Sequence, residues 1–347
     1  KEALAKTASA AGFAEPAKTA TNLSLLHEAF VNPELVTDLA CLALQTADPD
    51  QSLNNLERLS GVVDKSELSI ALIDAESARH LLIILGASPF LTGILCRRAS
   101  FFSGLFRKGQ IKNTKTEEEM CAELHQSIPD DADTATLKRE LRIFKAQEML
   151  RIGTRDLCGM AELEEVTEEL SSLAAATLQR AFEVCSIQLK AEHGAPILDA
   201  ANDQPEQEAE FTILGMGKFG GVELNFSSDI DLIYFYSSDR GQTSGVSDPI
   251  RGQRNRISIH QFFAKLSELI SKAIGQATED GFVFRVDLRL RPEGNSGEVA
   301  NSIAAGETYY ESWGQSWERS AMLKARPVAG SKPLGEEFLE RLQPFIY

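Results

Sequence analysis

Cysteine is scarce and poorly placed for either of its structural uses. The five cysteines, Cys41, Cys96, Cys121, Cys158 and Cys185, are odd in number and never spaced CxxC. That excludes a disulfide framework and a zinc knuckle, and a reducing cytoplasm is the expected compartment. The five histidines, His27, His80, His125, His193 and His260, are scattered, so neither a His-based triad nor a His metal site is expected. Positive charge is short as well: 35 Lys and Arg against 51 Asp and Glu leave a net charge of −16. Duplex nucleic acid and anionic membranes both need a basic face, and neither is expected as a partner. No apolar run reaches the roughly 18–20 residues of a membrane helix. The longest, Leu81 to Leu95, is broken by Gly86, Ser88, Pro89 and Gly93 and reads as buried helix and turn. The opening KEALAKTASAAGFAEP has no apolar core of a secretion signal. The absent initiator Met and the abrupt end at Phe345-Ile346-Tyr347 suggest a piece of a longer polypeptide.

What remains is an ordinary globular composition, 43% hydrophobic and 25% charged over 347 residues, enough for two domains or three. The acidity is uneven. Phe211 to Tyr347 holds 15 Lys and Arg against 17 Asp and Glu, which leaves 20 against 34 for Lys1 to Glu210. As far as about Lys190 the pattern is helical. Leu163, Val166, Leu170, Leu173, Leu178, Phe182 and Cys185 form one stripe, with glutamates on the other faces, and Leu137, Leu141, Phe144, Met149 and Ile152 form another. These stripes read as core and solvated face, and reveal no chemistry. HGAPILDAANDQPEQEAE then loses the period and reads as a linker. After it come strand-like runs at Phe211–Leu214, Ile230–Tyr236 and Gly281–Arg291, a Ser/Gly-rich loop SSDRGQTSGVSDPIRGQRNR, and an amphipathic helix over Ile259–Ala277. The expectation is an α+β chain: a mostly helical domain over 1–195, without catalytic ligands, then an α/β domain over 196–347 with a small mixed sheet.

The chemistry concentrates in GMGKFGGVELNFSSDIDLIYFY, Gly215 to Tyr236. Its glycines formally match GxGxxG. A nucleotide-binding oxidoreductase would, however, need a full helix, a second strand and an acidic residue about 20 positions on. A P-loop would need Ser or Thr after Lys218, where Phe219 stands. Asp229-Ile230-Asp231 is more specific. Residues i and i+2 of a strand share a face, so both carboxylates point one way while Ile230 and Leu232 enter the core. Like charges held so close call for a cation, and hard oxygen ligands select Mg²⁺ or Mn²⁺. In Phe282–Arg291 strict alternation would put Arg285, Asp287, Arg289 and Arg291 on one face. Asp287 would then add a third carboxylate to a two-metal site, with arginines for phosphate oxygens.

A glycine turn, a DxD on the next strand and a lone Asp on a later one are similar to the signature of the polymerase-beta-like nucleotidyltransferases. GMGKFGGVELNFSSDIDLI, DGFVFRVDLRLRPEGNSG and GQSWERSAMLKARPVAG together resemble the glutamate–ammonia ligase (glutamine synthetase) adenylyltransferase family. The likeness runs through Phe211–Gly330 and, more weakly, through LLIILGASPFLTGIL and LRIFKAQEMLRIGTRDL. That family carries two nucleotidyltransferase heads, one adding AMP to glutamine synthetase and one removing it. NFSSDIDLI and WERSAMLKAR behind a long helical lead resemble the N-terminal, removing head.

The resemblance implies phosphorolysis: inorganic phosphate attacks an adenylyl-tyrosine of glutamine synthetase and releases ADP. Asp229, Asp231 and Asp287 would hold Mg²⁺, and Gly215, Gly217, Gly220 and Gly221 would let backbone N–H groups approach phosphate. Ser227 and Ser228 would support phosphate or the first Asp, or simply make the turn before the strand. Lys218, Arg289, Arg291, Lys324 and Arg326 are candidate phosphate binders, some of them structural partners of the acids. Trp313 and Trp317 are expected to build a wall under the site. Glutamine synthetase is the implied protein substrate and a PII-type signal protein the implied regulator. Two other readings remain open, the adenylylating head and a non-catalytic module whose acidic helices dock a partner.

Overall fold

The structure, a computed structural model, describes residues 2–30, 33–199, 206–248 and 252–347. Residues 31–32, 200–205 of the expected linker, 249–251 of the Ser/Gly-rich loop and Lys1 lie outside them. The chain is α+β, helices first and a small mixed sheet after. By contacts it forms two compact units, Lys1–Thr114 with Ala146–Val166, and Lys115–Lys145 with Thr167–Tyr347. The long helices Thr134–Leu157 and Leu163–His193 each contribute residues to both units.

The first unit is built of helices whose starts are written in the sequence. Asp48, Asp64, Asp74 and Ser88 each accept a backbone N–H of the first turn, and Pro16, Pro49 and Pro89 stand just inside their helices. Leu81–Leu95 is, as expected, buried helix and turn: Ala75–Ala87 and Pro89–Arg97 meet at 113°, with Leu81, Leu82, Leu85, Leu91 and Leu95 buried. Among the described residues no single helix is long and apolar enough to cross a membrane.

The second unit carries the strands β1 (Pro196–Leu198), β2 (Phe211–Gly215), β3 (Ile230–Tyr236), β4 (Gly241–Thr243), β5 (Val246–Asp248), β6 (Gly252–Arg254), β7 (Val286–Asp287), β8 (Ala300–Ser302) and β9 (Arg326–Gly330). The main sheet runs β7-β3-β2-β9, with β8 beside β3. β3 lies antiparallel to β2 and parallel to β7 and β8. Its near-continuous apolar sequence fits a strand covered on both faces. On one face Phe211 stacks on Phe182, Phe263 and Tyr234, which brings in the Leu163–His193 and Ile259–Gly275 helices. On the other, Leu214, Ile233 and Phe235 pack with Ile303, Tyr310, Leu334 and Phe338.

The expected third strand is much shorter than its alternation suggested. Only Val286 and Asp287 pair, while Val283 and Phe284 are both buried, which a strand with one wet face forbids. The cause lies at both ends. Upstream, Arg142 donates to the carbonyls of Ala273 at 3.1 Å and Gly281 at 2.8 Å and also binds the Gln276 carbonyl, clamping the end of the Ile259–Gly275 helix and the turn after it. Downstream, the Asp287 carboxylate accepts the Arg289 backbone N–H at 2.8 Å and bends the chain out of the sheet.

Phe338, fully buried, lies 4.2 Å between ring centroids from Phe235. Phe338→Ala is expected to lose about 3–5 kcal/mol through the cavity it leaves, read as a lower urea midpoint at unchanged slope.

Candidate active site

β2 leads into a glycine turn, Gly217–Gly220, that folds back over the start of β3. The Met216 N–H donates to the Asp231 carbonyl at 2.9 Å. Gly217 has φ +55, and a Cβ there would lie 2.9 Å from Asp231 Oδ2; a Cβ on Gly220 would lie 2.0 Å from the Lys324 carbonyl oxygen. Glycine is therefore demanded twice, once for a left-handed turn against a carboxylate and once for backbone-on-backbone packing. Arg326 closes the turn from β9, donating to the Gly220 carbonyl at 3.3 Å and to that of Phe219 at 3.4 Å.

β3 and β7 are in register at Ile230↔Val286 and Asp231↔Asp287, so Asp231 and Asp287 stand abreast on one face. Burial, then the charges of Asp287 and Asp229, push the Asp231 carboxyl up. Asp287 goes the opposite way, held down by its hydrogen bonds from Arg289, whose Nε lies 2.8 Å from Oδ2. Asp229 precedes β3, and its carboxylate pairs with the Arg285 side chain, which also donates to the Ser227 carbonyl at 2.8 Å. Arg285 was visible in the alternation two residues before Asp287, yet nothing in the sequence named its partner.

The other expected residues divide by what they touch. Ser227 and Ser228 belong to a turn around Asn225, whose Oδ1 accepts the Ser228 hydroxyl at 2.7 Å and the Ser227 N–H at 3.2 Å. Arg291 donates to the carbonyls of Leu288, Asn295 and Gly297 and pins the loop after β7. Lys324 pairs with Glu223 at 2.8 Å. Lys218 is exposed on the glycine turn. Trp313 and Trp317 do not form a wall: they are 71% and 54% exposed, because the Ile303–Trp313 helix buries its Ile303, Gly306 and Tyr310 side and the Ser316–Met322 helix its Glu318 and Met322 side.

The paired carboxylates offer hard oxygen donors suited to a divalent cation. Two of the three fit in this arrangement, while Asp229 is turned to Arg285. Among the described residues no three His, Cys, Asp or Glu side chains gather as a metal cage.

Asp231→Asn and Asp287→Asn should have opposite signs in stability. A raised carboxyl means that ionised Asp231 costs stability above the carboxylate range, so Asp231→Asn should raise Tm at neutral pH. The gain should vanish as pH falls and Asp231 protonates. Asp287, held down, contributes stability above its unfolded value, so Asp287→Asn should lower Tm at neutral pH, with the loss fading in acid. Thermal unfolding across pH checks both signs.

The family model described as glutamate-ammonia ligase adenylyltransferase matches residues 78–341. The chain is similar to the bifunctional glutamine synthetase adenylyltransferase/adenylyl-removing enzyme of Pseudomonas aeruginosa, 39% identical over 264 residues, which are 76% of this chain and 26% of that protein. It is similar to the protein of the same description from Psychromonas ingrahamii, 37% identical over 299 residues, 86% of this chain and 30% of that one. The Thioalkalivibrio sulfidiphilus protein is 38% identical over 267 residues, covering 77% and 26%. The chain thus spans between about a quarter and a third of the length of these relatives.

Proposed function

The chain belongs to the glutamate-ammonia ligase adenylyltransferase family, and from this we propose that it is a nucleotidyltransferase head that removes AMP from adenylylated glutamine synthetase by phosphorolysis. The observation that carries the reading is the register of Asp231 with Asp287 beside the glycine turn. In the reaction an oxygen of inorganic phosphate forms a bond to the AMP phosphorus while the bond to the tyrosine oxygen breaks. ADP leaves, and the phenolate takes a proton.

Asp231 and Asp287 are the residues that would hold Mg²⁺ or Mn²⁺, with Asp229 joining them on leaving Arg285; the cation, when bound, supplies neutralisation of charge on the phosphoryl oxygens. Asp231, disfavoured as an anion by burial and then by the charges of Asp287 and Asp229, gains most from a cation. Gly217 keeps the turn free of a side chain beside Asp231, where phosphate approaches, while Gly215, Gly220 and Gly221 let the turn pack against Val328 and Lys324. Lys218 offers its charge from the turn, and Arg285 and Arg289, drawn to the carboxylates, are cations that phosphate oxygens can recruit. Arg291, Arg326 and Lys324 act in this reading through the backbone and Glu223 they hold, with Ser227 and Ser228 shaping the turn before β3. Removal is favoured over addition by NFSSDIDLI and WERSAMLKAR. The same reading places the protein in the cytoplasm, with a PII-type signal protein as regulator.

Given adenylylated glutamine synthetase, Mg²⁺ and phosphate, the chain should release ADP, and Asp231→Asn should slow release by on the order of a hundredfold or more. Transfer of AMP from ATP onto unmodified glutamine synthetase without phosphate-dependent release would instead assign the adenylylating head.

A further inference from the structure

Arg285 stands one level back from the paired carboxylates. β3 and β7 pair at Ile230↔Val286 and Asp231↔Asp287, and the ladder reaches Arg285, whose carbonyl accepts the Ile230 N–H at 2.9 Å. Residues two apart on a strand share a face, so Asp229 with Arg285 and Asp231 with Asp287 make two successive cross-strand levels. The first level is an ion pair and the second a pair of like charges. After burial and the charge of Asp287, the charge of Asp229 also acts on the Asp231 carboxyl, so the three carboxylates lie within one another's field.

Arg285 differs from the other cations here in what it holds. Arg291 and Arg326 donate to loop carbonyls, and Lys324 is paired with Glu223. Arg289 grips Asp287 with both its side chain and its backbone N–H, inside one turn of the chain. The Arg285 guanidinium instead reaches across to the neighbouring segment. Both of its bonds, to the Asp229 carboxylate and to the Ser227 carbonyl at 2.8 Å, land on the residues that deliver Asp229 to β3. Among the described residues Arg285 is the one hydrogen-bond partner of that carboxylate. The two side chains are 56% and 44% exposed. An ion pair this wet is worth little, so a stronger partner can draw off either member. For a carboxylate that partner is a divalent cation, and for a guanidinium fork it is a phosphate dianion.

We infer that Arg285 is a binding residue for the attacking inorganic phosphate and that Asp229 is its latch: when Asp229 turns to a divalent cation beside Asp231 and Asp287, the guanidinium is released to phosphate oxygens. The inference rests on the phosphorolysis proposed above. Each ligand removes the other's competitor, so each tightens the other by the same factor.

Phosphate affinity is measured calorimetrically without divalent cation, and Mn²⁺ affinity without phosphate from the electron paramagnetic resonance of the free ion. The parent chain, Arg285→Gln, Asp229→Asn and the double variant are compared, each checked by circular dichroism. Asp229→Asn should tighten phosphate by about two- to fivefold, the worth of an exposed pair, and should change nothing in the Arg285→Gln background. Arg285→Gln should tighten Mn²⁺ by a similar factor, weaken phosphate, and raise the KM for phosphate in ADP release more than it lowers kcat. A mere change of local charge would give equal tightening of phosphate in both backgrounds, and a purely structural arginine would give none. Either result, or no phosphate binding by Asp229→Asn, would overturn the latch. So would an Arg285→Gln loss larger for AMP than for phosphate, which would assign the guanidinium to the transferred group. Reciprocal binding without ADP release from adenylylated glutamine synthetase would uphold the latch while sinking the phosphorolysis reading.

Discussion

Two carboxylates stand abreast on neighbouring parallel strands, and the surrounding structure compensates for that arrangement. Burial first, and then the like charges of Asp287 and Asp229, raise the Asp231 carboxyl. The arrangement persists because β3 is not free to move, being paired from Leu232 to Tyr236 with β2, tied at the Asp231 carbonyl by the Met216 N–H, and buried over most of its length. Arg289 stabilises one member of the pair and Arg285 the carboxylate just before it, both on exposed side chains that a competing anion can reach. The strain is thus electrostatic and local, at the end of an otherwise apolar strand.

The layers on either side of the sheet are what make the register dependable. Phe182, Phe211 and Phe263 form a stacked aromatic seam on one face, and Phe235, Phe338 and Tyr310 close the other. Arg142 adds a polar constraint from the Thr134–Leu157 helix, spending its guanidinium on the Lys138 carbonyl of its own helix and on carbonyls at the end of the Ile259–Gly275 helix and in the turn that feeds β7. A buried guanidinium is tolerated because those carbonyls satisfy its donors. The helical lead, although it contributes none of the expected acidic ligands, thereby helps to set where Asp287 stands.

Most of the basic residues near the site are committed to backbone or to carboxylates. Arg291 and Arg326 hold loops, Lys324 holds Glu223, and Arg289 holds Asp287. The near balance of charge after Phe211, against the acidic excess before it, reflects this local pairing. Burial pushes the Cys158 and Cys185 thiols up to about 12 and Cys121 up to about 11, so these cysteines stay protonated and chemically quiet.

The sequence by itself determined what depends on neighbours close along the chain. β2 and β3 were legible as apolar runs bounded by glycine or aspartate, the long helices as stripes, and Asp229 and Asp231 as a pair, because alternation and periodicity are local properties. Tertiary structure alone decided the rest. Phe282–Arg291 reads as ten alternating residues, yet only two pair, since Arg142, 131–139 residues away, clamps the approach and Asp287 turns the exit. The tryptophans looked like site wall and face solvent, because burial depends on which helix side meets the core. Asp287 was a lone acid among arginines until the β3–β7 register brought it beside Asp231, a parallel pairing that residues 56 positions apart could reach only through the intervening helix.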